Sequence, residues 1–260
     1  MSPRAPDVPA RRFGFPGAAE IIAHRGYSAR APENTLAAIE AGVAAGADAV
    51  EFDLHVTADG TPVLFHDETL GRTTDGEGAV RDRTLAELRG LDAGSWFGPA
   101  FAGEPIPTFA EALTLLRGRV GRLYPEVKGY RSPDDLGRMV DLVLEHGLAE
   151  RTVFISMDWS ALEQMRALLA NLGVGYIVEK ASRSRDAIAR ASDDAHALVD
   201  FKATLLLEDP SLVEEAARRG VELAVWTVDD PADAARLLDL GVRRITTNRV
   251  AELTAWKATL

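Results

Sequence analysis

Short apolar runs rich in β-branched residues alternate with longer helical patterns through most of this 260-residue chain. A repeated strand and helix is typical of a parallel sheet whose strands are connected by helices. The predicted strands are Glu20–His24, Ala49–Val56, Val63–His66, Arg122–Val127, Thr152–Ser156, Val174–Val178, Ala197–Lys202, Glu222–Thr227 and Arg244–Thr247. The Asp59-Gly60 turn predicts that Val63–His66 folds back on the strand before it, which leaves eight strands for the repeat.

Helical patterns separate these strands, and several of them end at or just before a glycine, as helices commonly do. The predicted helices are Glu33–Ala45, Phe109–Arg117, Asp134–His146, Ser160–Asn171, Arg183–Ala191, Pro210–Arg219, Pro231–Leu240 and Ala251–Ala258. Eight such repeats predict an α/β fold, the TIM (β/α)8 barrel, and the chain length suits it. The alternative is an open doubly wound sheet, but no glycine-rich phosphate-binding sequence follows the first strand.

One segment departs from the repeat. Residues 67–107 are rich in Gly, Asp and Thr and are too long for an ordinary loop. We expect a small inserted cap between the second strand region and the following helix, over the barrel mouth where substrate sites lie. Residues 1–18 are expected to form a flexible arm. Residues 19–260 are then expected to form a single barrel domain.

Charge and composition limit the partners. The net charge of −11 disfavours nucleic acid and anionic membranes, which are themselves polyanions. No run of 18 apolar residues is present, so no stable membrane insertion is expected, and the N-terminus has no apolar signal-peptide segment. The absence of cysteine leaves oxygen or imidazole to hold any metal and is compatible with a cytoplasmic location.

The strand assignment gives positions for three carboxylates that could form one site. Glu51 and Asp53 are two residues apart on one strand, so both side chains project from the same face, and Glu126 ends another strand. Neighbouring carboxylates repel each other and resist burial, and a divalent cation would offset both effects. Hard oxygen ligands predict Mg²⁺ or Ca²⁺. The alternative is a group of charges at a solvated strand end.

Two histidines follow predicted strands in the same way. His24 precedes Arg25, whose guanidinium suits phosphate, and His66 precedes Asp67, which would orient the imidazole. Paired imidazoles suit one proton acceptor and one proton donor. A structural role for an isolated histidine such as His24 stays open at this point.

The remaining candidates are less specific. Lys128 either neutralises phosphate charge or forms a salt bridge to Glu126, and Trp226 either forms an apolar wall of the site or packs in the core. His55 shares the face of the acidic pair, and whether it reaches the site is open. His146 and His196 are expected on the surface.

At these residues the chain resembles the glycerophosphodiester phosphodiesterase family. The matching segments span nearly the whole chain in family order: His24–Gly26, Pro32–Thr35, Glu51–Asp67, Leu70–Gly76, Ile106–Leu113, Glu126–Lys128 and Trp226–Val228. The resemblance implies a TIM barrel with an inserted cap. It implies one divalent cation at Glu51, Asp53 and Glu126, with His24 and His66 as the acid/base pair. It also implies phosphate contacts from Arg25 and Lys128 and a substrate contact from Trp226.

The chain departs from the family at two strand ends. Ser156-Met157 stands where the family usually has Ser-Phe, and Asn248 stands where it usually has Asp with a nearby Pro. Neither departure removes a predicted metal or acid/base residue. Both bear on substrate preference.

The resemblance predicts hydrolysis of a small glycerophosphodiester to sn-glycerol 3-phosphate and an alcohol. A second hypothesis keeps the site but takes a lysophospholipid or another phospholipid head group, with Trp96, Phe97 and Phe101 guiding an acyl chain. The alternative for these aromatic residues is that they pack the insertion onto the barrel. A third is a catalytically silent phosphodiester-binding module. A homodimer formed through barrel helices is left open.

Overall fold

The computed structural model describes residues 18–260, so the predicted arm lies outside the described residues except for Ala18. Nine strands form the sheet, and their positions agree with the prediction to within two residues at each end. They are β1 Glu20–Ala23, β2 Ala49–Val56, β3 Pro62–Leu64, β4 Arg122–Val127, β5 Val153–Ser156, β6 Gly173–Val178, β7 Ala197–Lys202, β8 Glu222–Trp226 and β9 Arg244–Thr247.

The sheet closes into a barrel. Strand β1 pairs in parallel with both β9 and β2, and the order runs β1-β9-β8-β7-β6-β5-β4-β2 around the circle. Strand β3 stands outside the circle and pairs antiparallel with β2, after the predicted hairpin. The TIM (β/α)8 barrel prediction is therefore confirmed, and the open doubly wound sheet is excluded.

Helices surround the barrel in the described part of the chain. They are α1 Leu36–Ala44, α2 Leu85–Leu88, α3 Phe109–Leu116, α4 Pro133–Glu145, α5 Trp159–Leu168, α6 Ser184–Ser192, α7 Ala203–Glu208, α8 Ser211–Arg218, α9 Pro231–Leu240 and α10 Val250–Lys257. None of these helices, within residues 18–260, has the length and apolar character that a membrane crossing requires.

Several helices differ from the sequence prediction. Helix α2 was not predicted, and α5 ends at Leu168 rather than Asn171. Helix α1 begins at Leu36 rather than Glu33, because Asn34 adopts a positive φ of 59° and the Thr35 side chain caps the helix by accepting from the Ala38 amide. Helix α7 was not predicted, because its six residues are too few to show a clear helical period.

The segment between β3 and α3 contains α2, short 3₁₀ turns and a separate apolar cluster. That cluster comprises Val63, Phe65, Leu70, Val80, Leu88, Ala93 and Ile106. The rings of Trp96, Phe97 and Phe101 pack edge to face, with centroids 5.6 and 5.5 Å apart. These ring contacts lie within the inserted segment, so packing of the segment onto the barrel and guidance of an acyl chain both stay predictions.

The main core lies between the barrel and its helices. Phe109 at the start of α3 is fully buried, and its ring centroid lies 5.8 Å from that of Phe52 and 6.2 Å from that of Phe154. Inside the barrel, Glu20 accepts hydrogen bonds from the Tyr124 hydroxyl and Arg122 and pairs with Arg244 at 3.0 Å. These side chains fill the amino-terminal end of the barrel.

Replacing Phe109 by alanine is expected to lower the free energy of unfolding by about 3–5 kcal/mol, because it leaves a cavity between two strands of the barrel and α3. Urea denaturation would measure the change. The control is Leu144→Ala on α4, where the side chain is 49% exposed, and a loss within about 0.5 kcal/mol is expected. Equal losses in the two variants would contradict this account of the core.

Candidate active site

A cavity of about 330 Å³ opens at the carboxyl ends of the barrel strands. Seven of the eight predicted site residues line it: His24, Arg25, Glu51, His66, Glu126, Lys128 and Trp226. The eighth, Asp53, is 1% exposed and contacts Arg25 and Lys128. Barrel closure therefore brings together residues that are up to about 200 positions apart in the sequence.

The three carboxylates occupy neighbouring strands. Asp53 on β2 and Glu126 on β4 are direct partners in the parallel register, and Glu51 lies two residues before Asp53 on the same face. One oxygen from each of these three side chains lies within 4.8 Å of the others. Glu51 Oε1 and Asp53 Oδ1 are buried without a hydrogen-bond partner. The group is thus a possible ligand set for a divalent cation.

Burial and mutual repulsion disfavour the charged forms of these groups. Burial, followed by the charges of Asp53 and Glu126, raises the pKa of Glu51 well above its usual range. Burial, followed by the charge of Asp53, raises the pKa of Glu126 to about 7. Burial also opposes ionisation of Asp53, but the positive charges of Arg25 and Lys128 outweigh it and hold its pKa below the usual range. Additional positive charge at the site would favour the ionised form of all three carboxyl groups.

Two cations border the carboxylates. The Arg25 amide donates to Glu51 Oε2 at 2.8 Å, and the Arg25 guanidinium lies 3.3 Å from Asp53 Oδ2. Lys128 Nζ lies 2.9 Å from Glu126 Oε1 and 3.6 Å from Asp53 Oδ1. The salt-bridge interpretation of Lys128 is therefore realised in the structure, and its position in the cavity wall is compatible with a phosphate contact as well.

The backbone around Arg25 is fixed by close packing. Gly26 has a φ of +78°, and a Cβ there would lie 2.4 Å from the carbonyl carbon of Ala38 in α1. Only glycine allows α1 to approach the loop this closely. Arg25 itself has a positive φ of 54°, which directs its amide toward Glu51.

A hydrogen-bond network sets the tautomer of His24. The Asp229 carboxylate accepts from Asn248 Nδ2 at 2.8 Å, so Asn248 Oδ1 faces the other way and accepts from His24 Nδ1 at 2.7 Å. The His24 Nε2 atom then carries the lone pair and lies 3.9 Å from Glu51 Oε2. Burial, followed by the charge of Arg25, lowers the pKa of His24 to about 4.

His66 is oriented from the inserted segment. Its Nδ1 donates to Asp67 Oδ1 at 2.5 Å, as the sequence order predicts. Arg72 donates to both Asp67 and Glu33, and Glu33 also accepts from Arg25 at 2.8 Å. A continuous chain of ion pairs thus connects the inserted segment with the carboxylates.

Three further histidines lie outside the cavity lining. His55 is buried on β2, and its Nε2 donates to the His66 carbonyl at 3.1 Å, so it contacts the backbone of a site residue instead of the cavity. His146 ends α4 and donates to the Leu142 carbonyl. His196 is partly exposed before β7.

Sequence reasoning missed several polar residues in or beside the cavity, including Glu179 and Thr246 of its lining. Asn34 donates to Asp53 Oδ2 at 2.8 Å and accepts from the Asp53 amide, although its sequence position predicted a helix. Glu33 and Arg72 form the ion-pair chain, and Asp200 lines the cavity. Glu33, Asn34 and Arg72 lie in segments that match the family, so the resemblance could have identified them. Asp200 could have been identified from its strand position, because it lies two residues after Leu198 and shares its inward face.

Fold and cavity define the chain as a (β/α)8-barrel protein with a polar site at the strand carboxyl ends, and solved structures share this fold. An Oleispira antarctica phosphodiesterase in complex with the product sn-glycerol-3-phosphate is 30% identical, with a TM-score of 0.84, covering 91% of this chain and 96% of that one. A glycerophosphodiester phosphodiesterase from Agrobacterium tumefaciens is also 30% identical, with a TM-score of 0.78 and coverage of 91% and 99%.

Sequence comparison gives the family. A glycerophosphodiester phosphodiesterase from Caldanaerobacter subterraneus is 36% identical over 88% of this chain and 93% of its own length. A second glycerophosphodiester phosphodiesterase, from Bacillus subtilis, is 33% identical over 87% of this chain and 82% of its own length. The model of the glycerophosphoryl diester phosphodiesterase family matches residues 24–252. The chain belongs to this family, as the sequence motifs predicted.

Proposed function

We propose that this protein hydrolyses glycerophosphodiesters to sn-glycerol 3-phosphate and an alcohol, using a divalent cation and two histidines. The observation that carries the proposal is the grouping of Glu51, Asp53 and Glu126 within 4.8 Å, beside a cavity that both His24 and His66 line. Family membership supports the substrate class, and so does the related structure that holds sn-glycerol-3-phosphate as product.

The carboxylate group fits a cation by its chemistry. Its oxygens are hard donors, two of them are buried without a hydrogen-bond partner, and their mutual repulsion disfavours the charged forms. Mg²⁺ or Ca²⁺ is the proposed ion at Glu51, Asp53 and Glu126. When bound, such a cation supplies Lewis-acid stabilisation of a phosphate oxygen.

The histidines have different roles in this proposal. His24 takes the proton of the nucleophile, which is either the glycerol 2-hydroxyl or water, because its Nε2 carries a lone pair toward the carboxylates. Attack by the 2-hydroxyl expels the alcohol and gives a cyclic phosphate, which water then opens to sn-glycerol 3-phosphate. His66, held by Asp67, then protonates the leaving alkoxide. Arg25 and Lys128 stabilise negative charge on the phosphate, and Trp226 forms an apolar wall beside the substrate.

A substrate and metal panel tests this function. We expect purified protein to release sn-glycerol 3-phosphate from glycerophosphocholine and glycerophosphoethanolamine with Mg²⁺, Mn²⁺ or Ca²⁺, and to release none with EDTA. A coupled glycerol 3-phosphate dehydrogenase assay measures the product. Tight binding of the diester without turnover under every metal condition would instead support the silent binding module.

The remaining predictions concern organisation. We propose that residues 19–260 act as one domain with residues 67–107 as its cap, that the substrate is a small molecule, and that the protein is cytoplasmic. The homodimer also stays a prediction. Sedimentation of the purified protein and fractionation of expressing cells would test the last two.

A further inference from the structure

Asp200 is a buried carboxyl group in the cavity wall. It lies on β7, across the closed barrel from β2 and β4, which hold the proposed cation ligands. In the register it lies beside Ile177 of β6 and Ala224 of β8. Asp200 is 4% exposed, and its Oδ1 is buried without a hydrogen-bond partner. A buried polar atom of this kind is rare unless a ligand or water completes it.

The surroundings of Asp200 favour an uncharged partner. Burial, followed by the negative charge of Glu126, raises the pKa of Asp200 well above its usual range. Ile177, the register partner of Asp200 on β6, lines the cavity, and so does Ile155 of β5. A hydroxyl group suits such a carboxyl in either protonation state, because it can both donate and accept a hydrogen bond.

The charges of the cavity orient a phosphodiester. Arg25 and Lys128 lie on the side of β2 and β4, so an anionic phosphate is attracted there, together with the glycerol 2-hydroxyl that the proposed function places beside it. The glycerol has one further free hydroxyl, at sn-1. That end of the substrate is uncharged and is free to face the β7 side, where Asp200 lies.

We infer that Asp200 binds the sn-1 hydroxyl of the substrate glycerol and selects diesters in which this hydroxyl is free. The inference rests on the proposed function. A 1-acyl lysophospholipid has an ester oxygen there, which can accept but not donate a hydrogen bond, and its acyl chain needs space beside a buried polar group. A site built to hydrogen-bond a hydroxyl strongly rejects analogues that lack it. The protein is therefore a phosphodiesterase for deacylated glycerophosphodiesters rather than for lysolipids.

A deoxy substrate tests the contact directly. Glycerophosphocholine is compared with its 1-deoxy analogue, 2-hydroxypropyl phosphocholine, which keeps the phosphate, the 2-hydroxyl and the head group. We expect the wild-type protein to show a kcat/KM at least about 100-fold lower for the analogue. In Asp200→Ala we expect the two substrates to differ by less than about threefold, because only glycerophosphocholine loses a contact.

Two variants accompany this comparison. Asp200→Asn keeps the shape and hydrogen-bonding capacity, so we expect part of the discrimination to remain. Ser184→Ala removes another buried group without a hydrogen-bond partner, located on α6 away from this cavity, and should leave the ratio unchanged. Thermal unfolding checks that each variant folds. If Asp200→Ala does not fold, the wild-type and Asp200→Asn ratios decide the question.

The outcomes separate this inference from the proposed function. Equal wild-type activity on both substrates would overturn the role of Asp200 while the proposed function stands. The inference would also be overturned if Asp200→Ala still discriminated between glycerophosphocholine and its 1-deoxy analogue. It would be overturned as well if Asp200→Ala changed the preference between choline and ethanolamine head groups and kept its dependence on the sn-1 hydroxyl. Failure of the wild-type protein to cleave glycerophosphocholine at all would instead overturn the proposed function.

Discussion

His24→Ala is expected to lower kcat for glycerophosphocholine by about 10²–10⁴-fold, the usual contribution of a general base. The physical reason is the fixed tautomer. His24 Nδ1–H donates a hydrogen bond to Asn248 Oδ1, which leaves the lone pair of Nε2 to take a proton near the carboxylates. His66→Ala is expected to lower kcat by a similar factor, because the leaving alkoxide then departs without a proton.

The leaving group distinguishes the two histidines. A glycerophosphodiester of p-nitrophenol releases p-nitrophenolate. This anion is stable, so its departure needs no proton from His66. We expect His66→Ala to recover most of its activity on this substrate, while His24→Ala stays impaired. His146→Ala, at the end of α4, is the matched control and should retain wild-type turnover. Equal recovery of both variants would contradict the assignment of acceptor and donor.

Asp53→Asn is expected to abolish metal-dependent turnover. The substitution removes one carboxylate from the proposed ligand set. The loss of turnover should therefore exceed the factor of about 10–100 that is typical when a residue that only hydrogen-bonds to a metal ligand is replaced. Treatment of the wild-type protein with EDTA should have the same effect, and Mg²⁺ or Ca²⁺ should restore the activity. Asp141→Asn on the exposed side of α4 is the control.

A stability measurement separates metal binding from catalysis. A cation that binds only the folded state raises the melting temperature as its concentration rises. We expect Mg²⁺ or Ca²⁺ to raise Tm in the wild-type protein and in Asp141→Asn, and to leave Tm unchanged in Asp53→Asn. A wild-type Tm that does not respond to either ion, together with EDTA-resistant turnover, would refute the cation site.

The sequence was sufficient to predict the barrel because strand and helix periods are local properties. All eight barrel strands lie where their apolar runs predicted them, and the Asp59-Gly60 turn gives the antiparallel β3. The acidic pair on β2 was also predictable, since residues two apart on a strand share a face. Local rules failed at α1, where Asn34 leaves the helix to bind Asp53.

The contacts that define the chemistry of the cavity depend on residues distant in sequence. His24 and Asn248 are separated by 224 positions, and Arg72 reaches Glu33 across 39 positions. No local period encodes these pairs. Asp200 had a strand position in the sequence, but only the closed barrel shows that its carboxyl is buried in the cavity without a hydrogen-bond partner.

By itself, the sequence determined which residues form strands and which side chains of one strand share a face, because both follow from short-range spacing. Its motifs, spread over nearly the whole chain, indicated the family by resemblance. Only the tertiary structure decided which carboxylate oxygens lie close enough together to share one cation, which nitrogen of His24 donates to Asn248, and which carboxyl in the cavity is left without a hydrogen-bond partner. These properties depend on distances and burial, and barrel closure sets both.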